Sequence, residues 1–158
     1  MAFDTKQLTA EKIEEAAKAL AEMGTVRELK GITDAEMEAI YSMGYSFYNT
    51  GRYDDAEKVF RFLVLFDHLC PKYWTGLGAV AQMKRDYQKA VEYYGYASFL
   101  DIRNPKPQYF AAECFAAMGD KPNALSALAA LEMYCPENTE LGREYRKKAA
   151  ELKASLEK

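Results

Sequence analysis

The stretch Gly51-Arg52-Tyr53-Asp54-Asp55-Ala56 returns 34 residues later as Arg85-Asp86-Tyr87-Gln88-Lys89-Ala90. Tyr53 then aligns with Tyr87 and Ala56 with Ala90, and upstream Gly44 aligns with Gly78 at the same interval. One interval further on, Gly119 falls in the slot of Gly51 and Ala124 in that of Ala90. A recurring tyrosine, a recurring small residue and a recurring glycine mark a unit that the chain uses three times.

A period of 34 residues is long enough for two helices and two short turns, and it is the signature of tetratricopeptide repeats. The pattern predicts an all-α fold of three such repeats, about 37–70, 71–104 and 105–136. They lie within a 33–136 core, between an N-terminal arm over 1–32 and a capping helix over 137–158. The first helix of unit one is expected from about Asp34 to Asn49. Thr33 and Glu36 form a capping box at its start, and Gly51 supplies the left-handed residue at its end. Gly44 and Gly78 let paired helices approach closely, and Ala56, Ala90 and Ala124 do so from the other side, where a larger side chain would overpack. The core slots of unit one are read as Ile40, Met43, Gly44, Phe47, Ala56, Phe60 and Leu63, with corresponding apolar sets in the other two units. Pro71, Pro105, Pro107 and Pro136 fall between units, where proline starts or interrupts helices.

Ile13, Ala16, Ala17, Leu20 and Ala21 form an apolar stripe at helical spacing, which predicts an amphipathic helix over Thr9–Met23 stopped by Gly24. That stripe packs either on the first repeat or on the same stripe of a second copy. A short helical turn over Val26–Lys30 follows. The last helix, about Asn138–Leu156, turns Leu141, Tyr145, Ala149 and Leu152 inward and carries charge outside, as the end of a solenoid must.

The 158 residues suit one domain. With a net charge of -3 the chain lacks the basic face that nucleic acid requires. Arg143, Arg146, Lys147 and Lys148 are interleaved with glutamates and read as a solvated helix face with i,i+4 pairs. Cys70, Cys114 and Cys135 are odd in number and widely spaced, which describes reduced thiols rather than a disulfide framework. No apolar run reaches the length of a membrane span, and the N-terminal residues do not have the form of a signal peptide. No nucleophile–base set, metal-ligand spacing or phosphate-binding glycine loop is legible, so neither catalysis, a metal nor a cofactor is expected.

Twelve tyrosines against one tryptophan suggest a recognition surface, since tyrosine offers a large ring with a polar tip. On the first helix of unit one, Tyr41, Tyr45, Tyr48 and Asn49 stand at i, i+4, i+7 and i+8 and share one face. An aromatic stripe at helical spacing is core more often than site. Here Met43, Gly44 and Phe47 are taken to fill the core, which leaves the tyrosines for a groove that clasps an extended chain. The matching slots are Thr75, Ala79, Gln82 and Met83 in unit two, and Lys106, Tyr109, Glu113 and Ala116 in unit three. Tyr53 follows the turn, with packing inside the repeat as its alternative. Of Tyr94 and Tyr96, one must face outward. His68, the single histidine, either contacts a ligand or serves as a structural hydrogen-bonding group.

The run Ile40-Tyr41-Ser42-Met43-Gly44-Tyr45 continues through Asn49-Thr50-Gly51-Arg52-Tyr53-Asp54-Asp55-Ala56-Glu57-Lys58-Val59-Phe60. With Phe66-Asp67-His68, Gly76-Leu77-Gly78-Ala79, Tyr94-Gly95-Tyr96-Ala97, Asp101-Ile102 and Ala111-Ala112-Glu113-Cys114, it closely resembles the class II chaperones of bacterial type III secretion systems. These are the translocator chaperones of the LcrH/SycD/IpgC type, and the resemblance spans Ile32 to Gly119. It implies a cytoplasmic, cofactor-free chaperone that keeps two hydrophobic translocator proteins soluble and apart. It implies that a Pro-x-Leu-x-x-Pro-like segment of the cargo lies extended in the concave groove. It also implies a homodimer formed through the N-terminal region and, in some members, a transcriptional activator as a further partner. The family's groove positions fall on Tyr41, Tyr45, Tyr48, Tyr53, Leu65, His68 and Tyr94. A non-catalytic scaffold of a secretion apparatus, with no release step, is the alternative function.

Overall fold

The computed structural model describes residues 9–158, and among these it places nine helices and no strand. The helices are α1 (Ala10–Ala21), α2 (Val26–Lys30), α3 (Asp34–Asn49), α4 (Tyr53–Phe66), α5 (Pro71–Met83), α6 (Tyr87–Leu100), α7 (Pro105–Ala117), α8 (Lys121–Tyr134) and α9 (Glu140–Leu156). The pairs α3–α4, α5–α6 and α7–α8 stack in order, and α9 closes the stack against α7 and α8. The first eight residues of the expected N-terminal arm lie outside the described residues.

Local chemistry sets the helix ends. Thr33 accepts from the Glu36 backbone N–H at 3.2 Å, while the Glu36 carboxylate accepts from the Thr33 N–H at 2.8 Å. Pro71 and Pro105 open α5 and α7, where a missing N–H leaves no bond unmade. The first helix of every pair ends in the same way. Arg52, Asp86 and Asp120 donate their N–H groups to Phe47, Ala81 and Phe115, each at 2.9 Å, across a left-handed residue. That residue is Gly51 in unit one and Gly119 in unit three, both at φ +75°. In unit two it is Arg85, held at φ +62° although it carries a side chain.

Close packing accounts for Gly44, Gly76 and Gly78. A Cβ on Gly78 would stand 2.5 Å from the Tyr94 ring, and one on Gly44 would stand 2.9 Å from Val59. Gly76, which the repeat pattern does not single out, admits the Phe60 ring of the preceding unit, 2.6 Å from where its Cβ would lie. The alanines Ala56, Ala90 and Ala124 are fully buried.

Three assignments change. Met43 is 48% exposed, and the buried methionine of α3 is Met37. The buried line of α3 runs from Met37 to Gly44, and a neighbour in sequence is turned about 100° away from it. The α1 stripe meets α6, the second helix of unit two, rather than the first repeat. Ile13 is buried there and Glu14 pairs with Arg103. Finally, Arg146 is not part of a solvated face. Its guanidinium donates to the carbonyls of Glu132 at 2.6 Å and Cys135 at 2.7 Å, satisfying the C-terminal end of α8. Lys148 with Glu144, at 2.6 Å, is an i,i+4 pair as read.

Candidate peptide-binding cleft

The first helices α3, α5 and α7 form the wall from which a solenoid of this kind presents its concave side. Along α3 the tyrosines occupy graded depths. Tyr41 is half-buried: its ring meets the edge of Phe60 at 5.8 Å, tilts against Tyr73 at 5.9 Å and stacks on Tyr45 at 6.3 Å. Tyr45 is 52% exposed. Tyr48 is half-buried with its ring edge-on to Tyr53 at 5.8 Å. Burial raises the hydroxyls of Tyr41 and Tyr48 above the ordinary tyrosine value, so both keep their protons and can donate as well as accept.

Beside them lies a cleft of about 510 Å³. Tyr41, Tyr45 and Tyr48 line one side, and Thr75, Gly76 and Ala79 of α5 the other, with Phe60 and Pro71 adding apolar surface. Lys72, Asp101, Asn104 and Lys106 add the charged and polar lining. Small residues on α5 leave the space that the tyrosines border. The Lys72 ammonium sits 4.2 Å above the Tyr41 ring and pairs with Glu38, which fixes the ring from outside. The Thr75 hydroxyl is already committed to the Pro71 carbonyl at 2.9 Å.

The expected site residues divide. Tyr41, Tyr45 and Tyr48 line one cleft, with Tyr53 packed behind Tyr48 and Asn49 exposed at the end of α3. Gln82 and Tyr109 lie further along α5 and α7 in a polar group. The Tyr94 hydroxyl donates to Gln82 Oε1 at 2.7 Å, and the Gln82 amide reaches Glu113 at 3.5 Å. Tyr109 stands near the same carboxylate; burial and that charge push its hydroxyl up to about 12. Tyr94 itself is core rather than groove, 1% exposed, because Gly78 admits its ring between α5 and α6. Tyr96 is the outward member of that pair.

Leu65 and His68 do not join the tyrosines. Leu65 lies on α4, the second helix of its pair, two residues past the buried Leu63 and so on the opposite, exposed side. His68 lines a different cleft of about 610 Å³ with Leu20, Trp74, Tyr96 and Phe99, and its carbonyl accepts from Trp74 Nε1 at 2.7 Å. Sequence reasoning missed Lys72, Gly76, Asp101 and Asn104. Lys72 had a legible signal, for it precedes Lys106 by the repeat interval of 34. Asp101 and Asn104 belong to an inter-repeat turn, where helical periodicity carries no information.

The tetratricopeptide repeat family model matches residues 37–68 and 71–104. Low calcium response locus protein H of Yersinia pestis is 34% identical over 117 residues, 74% of this chain and 70% of that protein. Chaperone protein SicA of Salmonella typhimurium is 40% identical over 96 residues, 61% of this chain and 58% of its own length. The structure of SycD, the type III secretion translocator chaperone of Yersinia enterocolitica, superimposes with a TM-score of 0.73 at 32% identity. The match covers 85% of this chain and 97% of SycD. SycD has also been solved as an alternative dimer and in complex with a peptide of the translocator YopD, the latter with a TM-score of 0.72 at 31% identity over 80% of this chain and 95% of that one. A shared repeat, a shared fold along nearly all of SycD and identity above 30% leave one conclusion: the chain belongs to the family of type III secretion translocator chaperones.

Proposed function

We propose that this protein is a cytoplasmic chaperone that holds an extended, proline-containing segment of a hydrophobic translocator in the cleft beside Tyr41, Tyr45 and Tyr48. The cargo stays soluble and ready for export, and no reaction is catalysed. The observation that carries the reading is the cleft itself. Three tyrosines border it while Gly76 and Ala79 leave its opposite side open. The complex of SycD with a YopD peptide supplies a relative of the same fold that binds a translocator segment. Among the described residues no helix is long and apolar enough to cross a membrane.

The energetics suit such a ligand. A proline-rich segment is already restricted, so it loses little backbone entropy on docking. Tyrosine rings pack against proline rings, and the protonated hydroxyls are free to meet the peptide backbone. Tyr45 is the cleanest test because its ring is the least involved in the core. Tyr45→Ala should weaken a fluorescein-labelled Pro-x-Leu-x-x-Pro peptide by roughly 30-fold, the equivalent of a 2 kcal/mol hot spot. Fluorescence polarisation measures the affinity and circular dichroism the fold. Unchanged affinity in a folded variant refutes this use of the cleft. Like SycD, the protein is proposed to form a homodimer, which light scattering on the purified chain will establish or reject.

A further inference from the structure

The run Ala111-Ala112-Glu113-Cys114 is denser in buried residues than a repeat requires. Ala111, Ala112 and Cys114 are core, and Glu113 alone is only half-buried. Its carboxylate occupies the α7 face already marked by Lys106 and Tyr109, opposite Gln82 of α5. The Gln82 amide donates to it at 3.5 Å, and the Tyr109 hydroxyl lies near enough to feel its charge. Gln82 is in turn held by the Tyr94 hydroxyl at 2.7 Å. Lys106, two turns before Glu113 on the same face of α7, lines the aromatic cleft, so this polar group continues the wall on which the cleft lies.

Gln82 and Tyr109, the polar neighbours of Glu113, are both neutral. No cation pairs with it among the described residues. The cation that feels its charge, Lys148, is bonded to Glu144 at 2.6 Å and rests over the Tyr145 ring at 4.5 Å. A carboxylate has room for about four hydrogen bonds, so the bond from Gln82 leaves acceptor capacity unused. A half-buried anion in an aromatic wall gains from a counter-ion, and the protein does not supply one.

We propose that Glu113, oriented by Gln82, is a specificity-determining residue that takes a lysine or arginine side chain of the bound segment. The inference rests on the cleft reading, because it needs a chain lying along α3, α5 and α7. It adds a charge requirement to an otherwise apolar recognition: the cargo carries a basic residue beside its apolar anchors, and a segment with an acidic residue there is disfavoured.

The test uses the full chain and short fluorescein-labelled peptides that hold Pro-x-Leu-x-x-Pro in a Gly/Ser host, with each flanking position set in turn to Lys, Gln or Glu. On the wild-type protein, one position should show Lys binding roughly five- to tenfold more tightly than Gln, and Glu more weakly than either. Added salt should shrink the preference. Glu113→Gln keeps an acceptor for Gln82, so it should bind the Gln peptide as the wild type does and lose the Lys preference. Glu113→Lys should favour the Glu peptide. If the Gln peptide binds but no position discriminates Lys from Glu on the wild type, Glu113 does not read charge. If the Gln peptide does not bind at all, the cleft reading fails and takes this inference with it.

Discussion

Arg85 occupies the backbone position that glycine holds in the other two units. An L-residue in the left-handed region carries a penalty of roughly 1 kcal/mol that glycine escapes. The turn cannot relax, because Asp86 still donates to Ala81 at 2.9 Å as its counterparts do. The Arg85 side chain is exposed and makes no ion pair among the described residues. Arg85→Gly should therefore stabilise the protein by about 0.5–1 kcal/mol, seen as a raised urea midpoint with an unchanged m-value. A lower midpoint would mean that the arginine stem covers apolar surface. The same turns show what sequence makes legible at this scale. Capping chemistry is local, so Thr33, Glu36 and Gly51 could be placed by reading alone. Depth within a helix pair is not local. Tyr94 and Tyr45 both stand at helical spacing among apolar residues, and only the space left by Gly78 sends one ring inside.

At the scale of elements, Lys84 ties the end of α5 to the first two turns of α4 through Asp54 and Glu57, each at 2.7 Å. Its hydrogen bonds hold both carboxyls below their ordinary range, and the same bonds raise the lysine above 10.5. A carboxylate favoured in this way binds its proton less readily in the folded chain than in the unfolded one. It therefore stabilises the fold above the ordinary carboxylate values and loses that contribution as pH falls through its lower folded value. The raised lysine acts at the other end: its contribution is complete below 10.5 and is lost as pH rises through the folded value. Neutral pH lies on the plateau between them. Lys84→Met should lower the melting temperature at pH 7, and the gap to the wild type should narrow as pH is taken below about 4. A gap independent of pH would assign the loss to packing of the lysine stem. Such links between units follow the repeat poorly, because partners 27 and 30 residues apart do not recur at its interval. The docking of α1 was illegible for the same reason: its stripe announces a helix that must bury one face and says nothing of which.

Across the whole molecule the two ends of the stack are unequal. In a solenoid each unit leans on its neighbours, so an end element matters in proportion to the core it covers. At the C-terminal end, α9 inserts Tyr145 and Ala149 into the cluster that contains Ala112, Leu128 and Leu131, and Arg146 caps the carbonyls of α8. At the N-terminal end, α1 buries Ile13 and adds one ion pair to Arg103, while Arg27, beyond Gly24, joins α2 to Asp34 and Asp67. A chain of residues 25–158 should therefore unfold in one cooperative transition within a few degrees of the full-length protein. It should also bind the proline peptide with unchanged affinity, since no residue of α1 lines the tyrosine cleft. A chain ending at residue 136 would expose Leu128 and Leu131 and should lose most of its cooperativity in a circular dichroism melt. The reverse ranking, with the N-terminal truncation the more damaging, would show that α1 supports the repeats through more than its contact with α6.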